Sequence, residues 1–126
     1  FRLTIPFQFR GNELDFAKVL MSTDNITTAN DFQVQLTGSS SWFLNVGAIN
    51  SSVSVARVIG DSYIVELEVS STQGFRIIVN GVAGSFNAAA LSAPAWQPII
   101  RLLGRPDVAT NNMNGVVHTI LMEPLT

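Results

Sequence analysis

The chain has 126 residues, with nine acidic and seven basic side chains, one histidine and no cysteine. This length suits one domain around a single core, and the missing cysteines exclude a disulfide framework and a thiolate metal site, so that any metal would have to rest on carboxylates. With a net charge of −2 and scattered basic residues there is no patch to neutralise phosphates, and no run of about 18 apolar residues offers a membrane-spanning helix, so neither nucleic acid nor membrane insertion is expected.

Period-two alternation starts at once. In FRLTIPFQFRG, Leu3, Ile5, Phe7 and Phe9 share one face and Arg2, Thr4, Gln8 and Arg10 the other, which predicts a half-buried strand ending at Gly11–Asn12. Pro6 cannot donate to a ladder, so this strand is expected at a sheet edge. DFQVQLTG predicts a second strand, with Phe32, Val34 and Leu36 inward and Gln33 and Gln35 outward. SSSWFLNVG and SSVSVARVIG follow as shorter strands, separated by the turn-rich AINSS.

The clearest element is the hairpin SYIVELEVSSTQGFRIIVNG. A turn within Ser70 to Gly74 sets Val69 against Phe75, Leu67 against Ile77 and Val65 against Val79, and brings Glu68 opposite Arg76 on the other face. A slip of one residue would break both sets of pairs. SFNAAALSAPAW reads as a loop with one short helical turn, QPIIRLLG as a strand, Arg105 to Gly115 as a loop, and GVVHTILMEPL as the last strand. Many short strands with little helical periodicity predict an all-β chain, an antiparallel β-sandwich in one domain spanning 1–126.

Charged residues make up 13% of the chain, against about 25% in an average domain, while mean hydropathy is +0.32. Low charge and high hydropathy imply an apolar surface, the mark of a protein interface, although a sandwich rich in Val, Ile and Thr accounts for the same numbers. The chain begins at Phe1 without an initiator Met or a leader pattern, and is read as a processed chain or one domain of a longer protein.

The order of pieces resembles a galectin, the β-sandwich lectin of jelly-roll type that binds β-galactosides. DFQVQL is similar to the strand before the sugar-binding strand, WFLNVGAI to that strand itself, and IVELEVSSTQGFRIIVNG to the hairpin that follows the binding face; QPIIRLLG and GVVHTILMEPL are similar to the last two strands. The family's site uses His-x-Asn-x-Arg on one strand and a Trp followed by Glu and Arg on a later one, so that polar groups bond the galactose hydroxyls and the indole stacks on the sugar ring. Here Asn45, Gly47 and Ile49 stand at the first three positions, and between VSVARVIGD and SYIVELEV there is too little chain for the second strand; Trp42 and Trp96 lie elsewhere. Galectin-like domains without this site occur as modules of larger adhesins, among them micronemal adhesins of apicomplexan parasites, where they bind other protein modules. The resemblance therefore implies a secreted or cell-surface interaction module with a protein partner, such as an EGF-like domain, no cofactor, and no β-galactoside binding.

Val116, His118, Ile120 and Met122 alternate along the last strand and form a candidate partner-binding stripe, apolar with one polar handle, where a half-buried surface histidine and ordinary core are the plain alternatives. Asn45, Arg57, Glu66 and Glu68 are the residues an altered sugar site would use on the same sheet. Glu66 and Glu68 point the same way, as a hydrolase's carboxylate pair would, yet Arg76 opposite Glu68 reads them as a solvated cross-strand ladder. No phosphate loop, nucleophile elbow or metal-ligand spacing appears, and catalysis is not expected. Asn25-Ile-Thr and Asn50-Ser-Ser match the glycosylation pattern in predicted loops, and Phe7, Phe9 and Phe16 are partner anchors or, as strand phenylalanines usually are, core.

Overall fold

The computed structural model describes residues 1–10, 18–23, 32–46, 49–88, 100–103 and 114–125. Within them the chain runs through β1 (Arg2–Phe9), β2 (Lys18–Thr23), β3 (Phe32–Thr37), β4 (Ser41–Val46), β5 (Ile49–Ser54), β6 (Ser62–Ser70), β7 (Gly74–Val79), β8 (Val82–Ala83), β9 (Ile100–Leu102), β10 (Gly115–Val117) and β11 (Leu121–Glu123). All pairings are antiparallel, and they build two sheets: six strands in the order β10-β1-β6-β7-β8 with β11 also on β1, and five in the order β5-β4-β3-β2-β9. The antiparallel β-sandwich expected from the alternation is the fold.

Alternation fills the space between the sheets. Leu3, Ile5, Phe7 and Phe9 of β1, Val65 and Leu67 of β6, and Phe75, Ile77 and Val79 of β7 pack against Val34 and Leu36 of β3 and Trp42, Leu44 and Val46 of β4 in one buried cluster. Each such side chain contributes about 1.5–3 kcal/mol through lost water contact. Trp42 lies at the centre with no exposed surface, its indole N–H donating to the Val55 carbonyl at 3.0 Å and its ring 5.3 Å from that of Tyr63. The Tyr63 hydroxyl in turn accepts from the Val58 N–H and donates to the Ala56 carbonyl, which ties down the connection between β5 and β6. That connection, Val55 to Asp61, contains no strand.

The hairpin β6–β7 has the expected register, with Val65, Leu67, Glu68 and Val69 opposite Val79, Ile77, Arg76 and Phe75. Three expectations need correction. First, β1 is interior, between β6 and the pair β10/β11. Pro6 is tolerated because its nitrogen faces the β10 side, where the ladder is interrupted: His118 N–H donates to the Pro6 carbonyl at 2.9 Å, and the reciprocal bond has no donor. Second, the last segment is therefore not one strand. Register changes from Phe7↔Val117 to Leu3↔Met122, so residues 118–120 oppose only Ile5 and Pro6 and form a one-residue bulge. Third, AINSS is not a separating turn, since β5 already starts at Ile49 and contains Asn50 to Ser52. The alternation also left out β2, a strand in which a register shift between Val19 and Met21 leaves Leu20 and Met21 both buried. Of the segment SFNAAALSAPAW, expected as a loop with one short helical turn, residues 85–88 are not helical and the remainder lies outside the described residues.

Candidate functional site

The outer face of the six-stranded sheet holds a charged row that runs across four strands. Glu123 of β11 stands opposite Arg2 of β1, Arg2 opposite Glu68 of β6, and Glu68 opposite Arg76 of β7. Strand alternation points all four away from the core, and the sheet order makes their charges alternate. Arg2 donates from Nε at 3.1 Å and Nη2 at 2.6 Å to Glu68 Oε1, while Arg76 Nε donates to Glu68 Oε2 at 2.6 Å. Glu68 is thereby 3% exposed, although it stands on an outer face. The expected solvated ladder is instead a closed carboxylate clamp, because two guanidiniums and their stems cover it from both sides.

Burial by itself raises the Glu68 pKa, but the hydrogen bonds and charges of Arg76 and Arg2 outweigh it and hold the carboxyl below its ordinary range. The bond to Glu68 likewise raises the pKa of Arg2. Glu66 lies farther out, 3.8 Å from Arg2 Nε.

The row ends under an aromatic ring. Arg76 Cζ sits 4.3 Å from the centroid of Phe86, within cation–π range. Phe86 is placed there by the segment Gly84–Asn87, which crosses from the β7 side to β5. Asn87 exchanges both backbone bonds with Phe75, at 2.8 and 3.2 Å, and its side-chain amide donates to the Asn50 carbonyl at 2.9 Å. Ser51 Oγ donates to the Ser85 carbonyl at 2.8 Å and accepts from the Ile77 N–H at 3.3 Å, joining the two sheets. Two glycines allow this close passage. A Cβ on Gly74, whose φ is +90°, would meet the Asn87 carbonyl oxygen at 1.8 Å, and one on Gly84 would meet the Ser52 carbonyl oxygen at 2.5 Å. The segment covers the β5 edge, which would otherwise offer an uncharged template for strand pairing.

Beside the row lies a groove of about 800 Å³, bounded by Arg2, Glu68, Arg76 and Phe86, the turn Ser70–Gln73, and Glu123 to Leu125. The turn is organised by Ser70 Oγ, which accepts from the Thr72 and Gln73 N–H groups at 3.3 and 3.2 Å. A second hollow of about 310 Å³ lies between Asn50–Ser52 and Ser85–Ala88.

The sequence-derived candidates separate. Val116 pairs with Gln8 on the outer face; His118 is exposed in the bulge, its N–H bonding Pro6; Ile120 packs against the core, and Met122 stands opposite Leu3 on the core side of the sheet, 60% exposed at its margin. The bulge breaks the supposed stripe and puts Leu121, opposite Thr4, on the outer face in place of Met122. Asn45, Arg57, Glu66 and Glu68 do not form one site either. Asn45 projects from the outer face of the five-stranded sheet, the two glutamates from the outer face of the other, and Arg57 is buried with its guanidinium 4.9 Å from the Phe9 ring.

Phe7 and Phe9 are core, and Phe16, Trp96 and the Asn25 triplet lie outside the described residues. Asn50 is on a strand, not in a loop. Sequence reasoning missed Arg2 and Phe86. Arg2 carried a signal, its place on the polar side of an alternating strand, but only the pairing of β1 with β6 brings it to Glu68, and nothing local marks Phe86. Compared with known proteins, the chain matches no family model and no curated protein.

Proposed function

We propose that this chain is a non-catalytic protein-binding module of a secreted or cell-surface adhesin, galectin-like in its scaffold but without β-galactoside binding. The observation that carries the reading is the outer face of the six-stranded sheet, where Ile64 is 43% and Leu121 53% exposed, with Val116 and Pro6 on the same side and the charged row along one end. Apolar side chains flanked by ordered polar ones are the composition of an interface centre with its rim. Two further features support the loss of the galactoside site: Asn45, Gly47 and Ile49 replace its polar motif, and Val55–Asp61 runs without a strand where the stacking Trp would be carried.

Panning a display library of peptides and small folded domains against the immobilised protein tests the reading. Selected binders are expected to lose at least about tenfold in affinity, roughly 1.4 kcal/mol, toward Ile64→Lys and Leu121→Lys. Binders that hold both variants as tightly as the parent would overturn it.

A second reading, a lectin of altered specificity, draws on the other sheet. Its outer face is amide-rich among the described residues: Gln33 donates to Gln35 at 3.0 Å, Asn45 to Gln35 at 3.4 Å, and Gln35 to Thr37 at 3.2 Å, with the aromatic Phe43 beside them. A glycan array whose hits are abolished by Phe43→Ala would favour it.

A further inference from the structure

The three charged groups at the end of the row are not equally satisfied. Arg2 directs Nε and Nη2 to Glu68, lies 3.8 Å from Glu66, and has Glu123 directly opposite. Arg76 uses only Nε, on the same Glu68 carboxylate; among the described residues neither Nη bonds to anything, and the side chain is 28% exposed in the groove. One buried carboxylate thus serves two guanidiniums, and the further acids, Glu66 and Glu123, gather at Arg2, so the unused donor edge of the cluster sits at Arg76.

Arg76 is also held still. The Nε bond fixes one edge of its guanidinium, and the Phe86 ring 4.3 Å away fixes its plane. An arginine ordinarily loses rotamer freedom when a ligand immobilises it, and here the fold has already imposed that order. The free edge of a fixed guanidinium matches a carboxylate, which it binds through two parallel N–H···O bonds.

We infer that Arg76 is a carboxylate receptor, and that the groove takes an extended acidic segment of a partner protein whose Glu or Asp side chain reaches the Arg76 Nη edge. The groove's volume of about 800 Å³ is far more than a lone carboxylate fills. The turn Ser70–Gln73 supplies hydroxyl and amide groups for a peptide backbone, and beyond Arg2 the same face continues to Leu121 and Ile64. The inference rests on the protein-binding reading and names the chemistry of its partner.

The test is an NMR titration of the isotopically labelled domain with acetyl-Val-Glu-Val-Thr-amide, its Gln counterpart and sodium acetate. The Glu peptide should move the Arg76 Nε–H resonance and the amides of Ser71 to Gln73 saturably, and the Gln peptide and acetate should bind at least about tenfold more weakly. Arg76→Lys should abolish the Glu preference. Because that change also touches Glu68, Phe86→Leu serves as the milder variant: it should weaken the Glu peptide severalfold while leaving the amides of Leu3, Ile5 and Phe7 in place.

Equal binding of the Glu and Gln peptides, or no movement of Arg76 up to about 10 mM, would overturn the inference. Acetate binding as tightly as the Glu peptide would reduce the site to one for bare anions and overturn the peptide assignment. Shifts confined to Ile64 and Leu121 with both peptides would remove the Arg76 receptor and leave the protein-binding face standing. Conversely, a Glu-selective response at Arg76 that survives Ile64→Lys and Leu121→Lys upholds the receptor even if that apolar patch is not the interface.

Discussion

Glu68 and Arg76 stand directly opposite each other on β6 and β7, with Nε 2.6 Å from Oε2, and Arg2 closes on the same carboxylate from β1. Three strands are thus cross-linked by one buried acid. Glu68→Gln keeps the size of the side chain but leaves two guanidiniums facing a neutral amide. We expect a loss of about 2–3 kcal/mol, below the figure for a fully buried pair because both arginines are partly exposed, and a fall in Tm of roughly 6–12 °C. Glu66→Gln should stay within about 0.5 kcal/mol, since its only ion pair among the described residues is at 3.8 Å. Paired thermal and urea unfolding curves check both.

The same clamp sets an acid limit. Glu68 is held below the unfolded carboxyl value of 4.5, so in this window the unfolded chain binds more protons than the folded one. Its contribution is fully present above that value and is lost as pH falls through the lower folded value. Urea midpoints from neutral pH down to about 3 should fall more steeply for the parent than for Glu68→Gln, and the two curves should converge at the acid end.

Ser51 joins the sheets through a single hydroxyl, which accepts from Ile77 N–H and donates to the Ser85 carbonyl. Ser51 is 4% exposed, so Ser51→Ala leaves a buried donor and a carbonyl without their partner. The expected cost is about 1–3 kcal/mol. Hydrogen exchange is the sharper readout: the Ile77 amide should exchange faster relative to that of Val65, whose strand partners are Ile5 of β1 and Val79 of β7.

Gly74→Ala meets two obstacles at once, a φ of +90° and the Asn87 carbonyl oxygen 1.8 Å from the new Cβ. The Phe75–Asn87 bridge must open. We expect a loss of about 3 kcal/mol, from backbone strain together with the released hydrogen bonds. Since Phe86 sits on the displaced segment, the ring contact with Arg76 should go too, visible as a shift of the Arg76 Nε–H resonance. A stable variant with that resonance unmoved would refute the account of how Phe86 is held.

Much of the fold was legible because side-chain period and strand geometry are the same fact. FRLTIPFQF, FQVQL and the hairpin from Ser62 to Val79 each alternate, and burial follows the alternation through β1 and β6 up to Leu67, giving way at Gln33, at Glu68 and along β7, where Ile77, Ile78 and Val79 are all buried. Legibility ended where the backbone departs from period two. The β2 bulge buries neighbours Leu20 and Met21, and the bulge at residues 118–120 exchanges Met122 for Leu121 on the outer face. Pro6 was visible as a missing donor, but whether that marks an edge or a gap inside a sheet depends on which neighbour its nitrogen faces.

The candidate site shows the same division. The amino-acid sequence by itself determined the strand faces, the β6–β7 register and the pairing of Glu68 with Arg76, since these are local consequences of alternation and a tight turn. Only the tertiary structure decided that Asn45 and Glu66 lie on opposite outer faces, that Arg2 completes the clamp from 66 residues away in the chain, and that Phe86 caps Arg76. Those juxtapositions follow from strand order, which is set by how two sheets bury one common core and is written in no single segment.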